Sequence, residues 1–425
     1  MQNYYLVLHL HVSEGGGEPL RYIPRSIKQK LLRVSDSFPV VLVTGPRQVG
    51  KTTLLQMLSK DDRTYVTLDD PILRELATTE PALFLQKYTP PVLIDEIQYA
   101  PQLFPYIKMR VDADRKPGQY WLTGSQMFIV MKGVSESLAG RVGILPLLGL
   151  SYDELTDNCI PGPFSLSGDY LQEKTVRSRN LDIHTLYEHI FKGGLPYLYG
   201  DVVERNTFFS SYISTYIQRD IRDLRQVADE MVFYSFLTSV AARTGQLLNY
   251  ADLSKELGIS APTVKQWISL LVSSGIIYLL EPLHSNIHKR MVKSPKIYFL
   301  DTGLCAYLTR WSDSDTLEAG NMSGAILETF VLSELIKGYY NAGDSPRLAF
   351  YRDSNGNEID MLIQESNVWH PLEIKKSAHP DRSAVKTFGV LKELGLERGS
   401  GGILCLYDAV IPISENDSYV PMRLI

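Results

Sequence analysis

The chain has 425 residues, which is too many for one hydrophobic core, and this length predicts two to four domains. Hydrophobic residues make up 44% of the chain and charged residues 21%, as in ordinary soluble globular proteins. The formal net charge of -5 excludes a protein that coats nucleic acid along its whole length, because such proteins are usually basic. Any contact with nucleic acid must therefore be local.

The start of the chain and its cysteines predict a cytoplasmic protein. Residues 1–21 contain three consecutive glycines but neither a basic n-region nor a cleavage site, so we expect a flexible tail, with order beginning near Tyr22. No apolar run approaches the roughly 20 residues that a membrane span requires. The cysteines form no Cys-x-x-Cys pair and fit a reducing compartment; they are Cys159, Cys305 and Cys405.

Five short apolar runs alternate with amphipathic stretches between Phe38 and Leu150. Continuous hydrophobicity indicates strands that are covered on both faces, as in a parallel sheet flanked by helices. Residues 22–150 are therefore predicted to form an α/β domain. The strands are expected at Pro39–Gly45, Tyr65–Leu68, Val92–Asp95, Tyr120–Ser125 and Val142–Pro146.

A Gly-x4-Gly-Lys-Thr pattern follows the first predicted strand and opens a helix, which is the context that a phosphate-binding loop requires. The glycines let the backbone approach phosphate oxygens, and the amino end of the helix attracts their charge. Lys51 is expected to reach the β- and γ-phosphates of ATP, and the Thr52 hydroxyl to bind Mg²⁺. The residues predicted to bind the nucleotide are Gly45, Pro46, Arg47, Gln48, Val49, Gly50, Lys51, Thr52 and Thr53.

Another predicted strand ends in two adjacent carboxylates, Asp95 and Glu96. A buried strand that carries such a pair after a phosphate loop is suited to hydrolysis. Asp95 is expected to hold the Mg²⁺ shell, and Glu96 to activate the attacking water as a general base. The two motifs together predict an ATP-hydrolysing site.

With these motifs the chain resembles the AAA-type ATPases. The resemblance implies that Ser125, with Thr123 as second choice, senses the γ-phosphate at the end of its strand. It also implies that Arg141, in Ser137-Leu-Ala-Gly-Arg141, is an arginine finger, a residue that is often supplied by a neighbouring subunit. A homo-oligomer would follow; an arginine that merely solvates a helix end is the alternative.

Residues 151–235 predict a helical lid or linker, after an irregular stretch near its start, and residues 236–300 predict three helices followed by two strands. Gly258 ends the second of these helices, Ser260 caps the third, and Pro262 falls in its first turn. This rhythm is typical of a winged helix, a module that contacts either DNA or another protein.

The third helix has an apolar stripe that includes Trp267, so we expect this tryptophan in the core. Its outward residues would face DNA, and a basic tip with Lys289 and Arg290 lies between the two strands. Residues 236–310 carry eight Lys or Arg against four Asp or Glu, which favours phosphate contact within an acidic chain. The predicted outward residues are Thr263, Lys265, Gln266 and Ser269.

The last predicted domain, residues 301–425, contains a carboxylate cluster. Asp360 and Glu373 lie on neighbouring strands, Lys375 follows Glu373 on the same face, and Glu328 lies on the helix upstream. The pattern resembles the PD-(D/E)XK nucleases, which implies Mg²⁺ ligands at Asp360, Glu373 and Glu328 and a water-activating Lys375.

The sequence departs from that nuclease pattern because Ile359, and not proline, precedes Asp360. A charged solvent face on a small sheet is the alternative. Over residues 22–410 the chain resembles a prokaryotic family of AAA-type ATPases with a C-terminal domain of uncharacterised function and a degenerate nuclease core. The motifs that carry this resemblance are Tyr22–Arg25, the phosphate loop, Ser137–Arg141, the Gly-Gly-Leu-Pro turn at Gly193–Pro196 and the helix at Tyr216–Ile221.

Two functions are compatible with these motifs. The first is an ATPase that couples hydrolysis to a DNA-directed activity such as cleavage. The second is a nucleotide-gated regulatory switch that binds a protein or DNA partner and carries an inactive nuclease-like domain.

Overall fold

A computed structural model describes residues 22–59, 63–200, 203–217, 230–283 and 293–425. Three predictions lie wholly or mostly outside these ranges: the flexible tail of residues 1–21, the basic tip at Lys289 and Arg290, and the helix at residues 216–221. Within them, no helix combines the length and the apolarity of a membrane span.

A five-stranded parallel sheet forms the centre of the amino-terminal half, which confirms the predicted α/β fold. Its strand order is β2-β3-β4-β1-β5, so that β4 separates the strand that leads into the phosphate loop from the strand that ends in Asp95. The strands are β1 (Val40–Thr44), β2 (Thr64–Thr67), β3 (Val92–Asp95), β4 (Tyr120–Gly124) and β5 (Val142–Pro146).

Both faces of the central strands β1, β3 and β4 are buried, as the continuous apolar runs predicted, whereas the edge strand β2 is partly exposed. Val41 and Val43 of β1 pack into one core, and Val40 and Leu42 pack into a second core on the opposite face. The helices of this half are α1 (Lys28–Ser35), α2 (Lys51–Leu58), α3 (Pro71–Thr79), α4 (Pro81–Lys87), α5 (Leu103–Ala113) and α6 (Met127–Ser137).

The segment that was predicted as a helical lid is mainly helical, but its start is more regular than expected. A helix covers Gly168–Arg177, where the sequence predicted an irregular stretch, because Ser167 caps its first turn and Leu171 is buried. The helices are α7 (Tyr152–Thr156), α8 (Gly168–Arg177), α9 (Ile183–Lys192), α10 (Arg205–Tyr212) and α11 (Glu230–Ala241).

Three helices and a small antiparallel sheet follow. They are α11, α12 (Tyr250–Leu257) and α13 (Ala261–Ser273), with β6 (Gln246–Leu247), β7 (Ile277–Leu280) and β8 (Lys296–Phe299) in the order β6-β8-β7. Gly258 has the left-handed conformation that ends α12, and the Ser260 hydroxyl accepts the Thr263 amide at 3.2 Å. Trp267 is buried between Phe233 and Phe236 and is a core residue.

A mixed seven-stranded sheet dominates the carboxyl-terminal part, in the order β14-β15-β13-β11-β10-β9, with β12 beside β11. Its strands are β9 (Leu348–Arg352), β10 (Glu358–Glu365), β11 (Val368–Ile374), β12 (Glu397–Arg398), β13 (Gly401–Cys405), β14 (Ile411–Pro412) and β15 (Asp417–Pro421). Its helices are α14 (Thr302–Leu308), α15 (Ser314–Ala319), α16 (Ser323–Ala342) and α17 (Val390–Glu393).

Candidate functional site

The loop between β1 and α2 has a backbone conformation that favours glycine at two positions. Gly45 has a φ of +145°, and a Cβ atom there would collide with the carbonyl oxygen of Leu147. Gly50 has a φ of +88° at the start of α2, and no described side chain caps that helix. The first amide groups of α2 therefore remain available to an anion such as phosphate.

Lys51 is buried at the mouth of this loop. Its ammonium group donates to the carbonyl oxygens of Gly45 at 3.0 Å and of Pro46 at 2.7 Å. The ammonium is thus already in the loop, where phosphate oxygens can replace the carbonyl oxygens as acceptors.

The other predicted nucleotide-binding residues take different positions. The Val49 side chain is buried in the core, and Pro46 packs against Gly275, so these two can offer a ligand only their backbones. Arg47 donates to the Tyr99 hydroxyl at 3.4 Å, whereas Gln48 and Thr53 are exposed.

Asp95 lies within hydrogen-bonding reach of the loop. One of its carboxylate oxygens, Oδ1, accepts the Thr52 hydroxyl at 2.7 Å and the Thr123 hydroxyl at 2.5 Å. Tyr65 donates to the other oxygen at 3.2 Å, and burial together with the Asp95 charge raises the pKa of Tyr65 to about 12. Thr52 and Asp95 are hard oxygen donors side by side, which suits Mg²⁺ held by one or two protein ligands and by phosphates.

Glu96 follows with a left-handed backbone, at φ +55°. Its amide donates to the Thr123 hydroxyl at 2.9 Å, and its Oε2 atom accepts the Ser125 hydroxyl at 3.1 Å. The Gln98 amide also donates to that same oxygen and to Ser125. Strained backbones of this kind cluster at functional sites.

Sequence reasoning missed Gln98, Tyr65 and a third nearby carboxylate, Asp69. Burial and the charges of Glu96 and Asp95 raise the pKa of Asp69. The signal for Gln98 was a polar side chain two residues after Glu96, between the apolar Ile97 and the aromatic Tyr99. No local pattern brings Tyr65 to Asp95, because they meet through the pairing of β2 with β3.

Arg25 contacts the phosphate loop through its buried guanidinium group. Its guanidinium donates to the carbonyl oxygens of Val49 and Leu148, both at 2.8 Å, and pairs with Glu154 at 3.1 Å. Both charged side chains are almost fully buried. The motif Tyr22–Arg25 therefore has a role in fixing the phosphate loop.

Arg141 lies at the amino ends of the parallel strands, opposite the ends that carry the phosphate loop. It precedes β5, whose Val142 pairs with Val40 at the start of β1, while the phosphate loop follows the end of β1. A five-residue strand separates the two edges by roughly 16 Å. Arg141 instead pairs with Asp112 through two contacts, at 2.5 and 3.0 Å, and does not reach the phosphate loop of its own chain.

The structure also brings most of the predicted nuclease-like residues together. The Lys375 ammonium lies 2.7 Å from Glu373 Oε2 and 3.6 Å from Asp360 Oδ2, and the Ile374 amide donates to Asp360 at 2.9 Å. Burial and the neighbouring Asp360 charge raise the pKa of Glu373 to about 8, in spite of the adjacent ammonium.

Glu328 has a partner that the sequence did not predict. Lys296, which opens β8, is buried and places its ammonium 2.9 Å from Glu328 and 2.7 Å from Glu358. The Tyr298 hydroxyl also donates to Glu328. Burial and the Asp360 charge raise the pKa of Glu328, although Lys296 opposes this effect.

These contacts do not support the Mg²⁺ site predicted at Asp360, Glu373 and Glu328. Two ammonium groups, of Lys296 and Lys375, lie against the carboxylates that would have to bind the cation. Across the part of the chain that the structure describes, no group of three or more His, Cys, Asp or Glu side chains is arranged to hold a metal ion.

Comparisons with known proteins give three family matches along the chain. Residues 37–156 match the model of an AAA domain. Residues 183–315 and 323–425 match two models described as domains of unknown function, DUF8612 and DUF4143. The matched AAA segment includes the phosphate loop, both carboxylates and Ser125.

Two curated relatives are uncharacterized proteins, Rv2008c of Mycobacterium tuberculosis and Mb2031c of Mycobacterium bovis. Each is 29% identical over 361 residues, which cover 84% of this chain and 75% of the relative. Similar solved structures include the Walker-type ATPase of Pyrococcus abyssi, with 15% identity, a TM-score of 0.40 and coverage of 67% of this chain and 95% of that one. They also include AMPPCP-bound DnaA of Aquifex aeolicus, with 15% identity, a TM-score of 0.29 and coverage of 58% and 85%.

The TM-scores of the solved structures are too low to bear on the function of this chain. The two curated mycobacterial relatives carry no activity in their names. The family match of residues 37–156 agrees with the loop geometry and with the parallel sheet. Residues 37–156 therefore combine a match to an AAA domain with a parallel sheet and a phosphate-loop geometry.

Proposed function

We propose that this protein hydrolyses ATP in a Mg²⁺-dependent reaction at the loop 45–52. The observation that carries the proposal is the meeting of the Thr52 and Thr123 hydroxyls on one oxygen of Asp95, directly beside Glu96. This arrangement puts oxygen ligands for a cation and a general base at the mouth of a phosphate loop.

Each side chain has a role in the proposed reaction. Lys51 transfers its hydrogen bonds from loop carbonyls to the β- and γ-phosphates, while Thr52 and Asp95 bind Mg²⁺, which neutralises charge on the phosphates. Glu96 takes the proton of the attacking water, and Ser125 senses the γ-phosphate. The positions of Lys51, Thr52 and Asp95 support these assignments.

We also propose that Arg141 serves the site of a neighbouring copy of the chain, because its own loop lies at the opposite edge of the sheet. The test mixes two inactive variants. Arg141→Ala keeps its phosphate loop, and Lys51→Ala keeps its arginine, so mixed oligomers regain ATP turnover if the arginine acts in trans. If turnover in the mixture stays at the sum of the two variants, Arg141 has no such role.

We also propose that residues 236–300 form a winged helix that contacts DNA. The outward face of α13 is polar and accessible, since Lys265, Gln266 and Ser269 are all exposed. This helix would lie against DNA, where exposed polar and basic side chains can reach base edges and phosphates. The order from α16 to β13, a helix, three strands, short helices and a strand, supports a nuclease-like fold for the last domain.

A specific observation favours the second candidate, the nucleotide-gated switch, over DNA cleavage. Lys296, a buried lysine that the nuclease pattern does not include, already pairs with Glu328, one of the carboxylates that would hold a catalytic metal. We therefore propose that ATP turnover controls DNA or partner binding, and that the nuclease-like domain does not cut.

One experiment tests both statements. Phosphate release is measured for wild type and Lys51→Ala, with and without double-stranded DNA, and the DNA is checked for cuts. Release by wild type well above Lys51→Ala, with intact DNA, is the expected result. Equal phosphate release by wild type and Lys51→Ala would refute hydrolysis. Mg²⁺-dependent DNA cuts that disappear in Asp360→Ala and in Lys375→Ala would show that the nuclease-like domain is active.

A further inference from the structure

A short 3₁₀ turn, Ile97–Tyr99, follows Glu96 and returns the Gln98 side chain into the candidate active site. Ile97 is buried in the core, so the turn is fixed from behind. Gln98 itself is only 4% exposed. A glutamine buried to this extent next to a proposed general base needs an explanation, because a polar group is costly to bury.

The hydrogen bonds of Gln98 all lead to the general base. Its amide nitrogen donates to Glu96 Oε2 and, at 3.1 Å, to the Ser125 hydroxyl oxygen, which itself donates to Glu96 Oε2 at 3.1 Å. The three side chains form a closed triangle. One carboxylate oxygen of Glu96 thus receives two donors, while no described residue donates to the other oxygen, Oε1.

The orientation of the Gln98 amide follows from the same contacts. Its oxygen is buried and has no partner among the described residues, and it faces the backbone near Gly124. Turning the amide over would place its oxygen against the Glu96 carboxylate, where two acceptors would meet. The side chain therefore leaves its own oxygen unpaired while it donates to Glu96, and a buried unpaired group of this kind calls for a functional explanation.

We infer that Gln98 is a positioning residue for ATP hydrolysis, which fixes Oε2 of Glu96 and leaves Oε1 as the oxygen that takes the proton of the attacking water. The inference rests on the proposed hydrolysis. The left-handed backbone of Glu96, held by Thr123, fixes the main chain, and Gln98 with Ser125 fixes the carboxylate. A base held at both ends keeps its reactive oxygen in one place, and placement errors near 1 Å are costly in rate.

The test uses Gln98→Leu, which keeps a side chain of comparable volume and removes the donor, and Gln98→Glu, which puts a carboxylate in its place. Gln102→Leu is the matched control, since Gln102 is exposed and lies four residues along the chain. We expect both Gln98 variants to lower kcat for phosphate release by roughly 10- to 100-fold and to change KM for ATP by less than about threefold. The control keeps wild-type values for both constants.

A double-variant cycle separates positioning from a structural role. In a Glu96→Gln background, Gln98→Leu should cause no further loss of kcat, because the residue through which Gln98 acts is already gone. If Gln98→Leu lowers kcat by the same factor in both backgrounds, or leaves kcat of the wild type unchanged, the inference is overturned. A wild type that releases no more phosphate than Lys51→Ala would instead refute the proposed hydrolysis, and the role of Gln98 with it.

Discussion

Two groups of carboxylates in this protein are held in opposite ways. In the AAA-type domain, Asp95 and Glu96 receive hydrogen bonds from neutral groups, namely the hydroxyls of Thr52, Thr123, Tyr65 and Ser125 and the amide of Gln98. In the carboxyl-terminal domain, ammonium groups take that place, with Lys296 between Glu328 and Glu358 and Lys375 between Glu373 and Asp360.

The difference decides how each group can respond to a cation. Hydroxyl partners can rotate or become ligands themselves when Mg²⁺ arrives with a nucleotide, so little is lost. A cation at the second group would have to displace the buried Lys296 ammonium, and an ammonium left without its carboxylates is strongly destabilising. Similar residue types thus leave the proposed Mg²⁺ site of one region open to a cation, and in the other region they are held by lysines.

The largest expected effect comes from removing the ammonium that lies between Glu328 and Glu358. Lys296→Met removes the ammonium that pairs with the largely buried Glu328, whereas Glu358 keeps Arg352 at 3.6 Å. The change should lower the free energy of unfolding by about 3–5 kcal/mol, measured by urea denaturation. The matched control is Lys293→Met, at an exposed lysine of the same segment, with an expected change within about 0.5 kcal/mol.

The same measurement can break the comparison. If Mn²⁺ without nucleotide stabilised the wild-type protein, and Asp360→Ala abolished that stabilisation, the carboxyl-terminal group would bind a cation in spite of its lysines.

A smaller effect is expected from the neutral partners in the AAA-type domain. Thr123→Val leaves the amide of Glu96 without its partner and removes one of the two hydroxyls that donate to Asp95 Oδ1, and should cost about 1–3 kcal/mol. Thr44→Val is the control, because the equally buried Thr44 hydroxyl has no partner in the described part of the chain. Removing that hydroxyl should be neutral or stabilising in urea denaturation. Equal losses in the two variants would mean that the Thr123 bonds contribute nothing particular.

The smallest effect concerns pH. The pKa of Glu373 is raised from 4.5 to about 8 in the folded protein, so between these values the folded chain binds a proton that the unfolded chain has lost. Stability must therefore fall as pH rises through this window. Glu373→Gln should flatten that fall by on the order of 1 kcal/mol between pH 5 and pH 8, measured by urea denaturation at each pH. The control is Glu397→Gln, at an exposed glutamate, which should keep the wild-type dependence of stability on pH. If Glu373→Gln also kept that dependence, the raised pKa of Glu373 would be contradicted.

Local patterns predicted much of the fold because they depend on neighbours in sequence. The five buried strands, the Gly258 helix end and the core position of Trp267 all follow from hydrophobic period and turn chemistry. One continuous helix, Glu230–Ala241, runs across the boundary predicted at residue 236, and the boundary itself stays a prediction. The two-residue strand at Gln246 and Leu247 was missed because it is too short to show a period.

The candidate sites divide in the same way. Lys51, Thr52, Asp95 and Glu96 were found from motif spacing, and the structure brings them together. The pairing of Lys296 with Glu328 joins residues from a strand and a helix 32 positions apart, and no motif encodes it. Such contacts are set by tertiary packing, which a single sequence does not reveal.

The hydrogen bond from Arg25 to the phosphate loop limits how far the chain can be shortened. A fragment that stopped at residue 150, where the sequence suggested a domain boundary, would lose Glu154 and leave a buried guanidinium without its counter-charge. It would also lose Lys337, whose ammonium donates to the Leu150 carbonyl oxygen at 3.0 Å from α16. A fragment that keeps the pairing of Arg25 with Glu154 therefore extends at least through α7, and one that also keeps the Lys337 contact extends into α16.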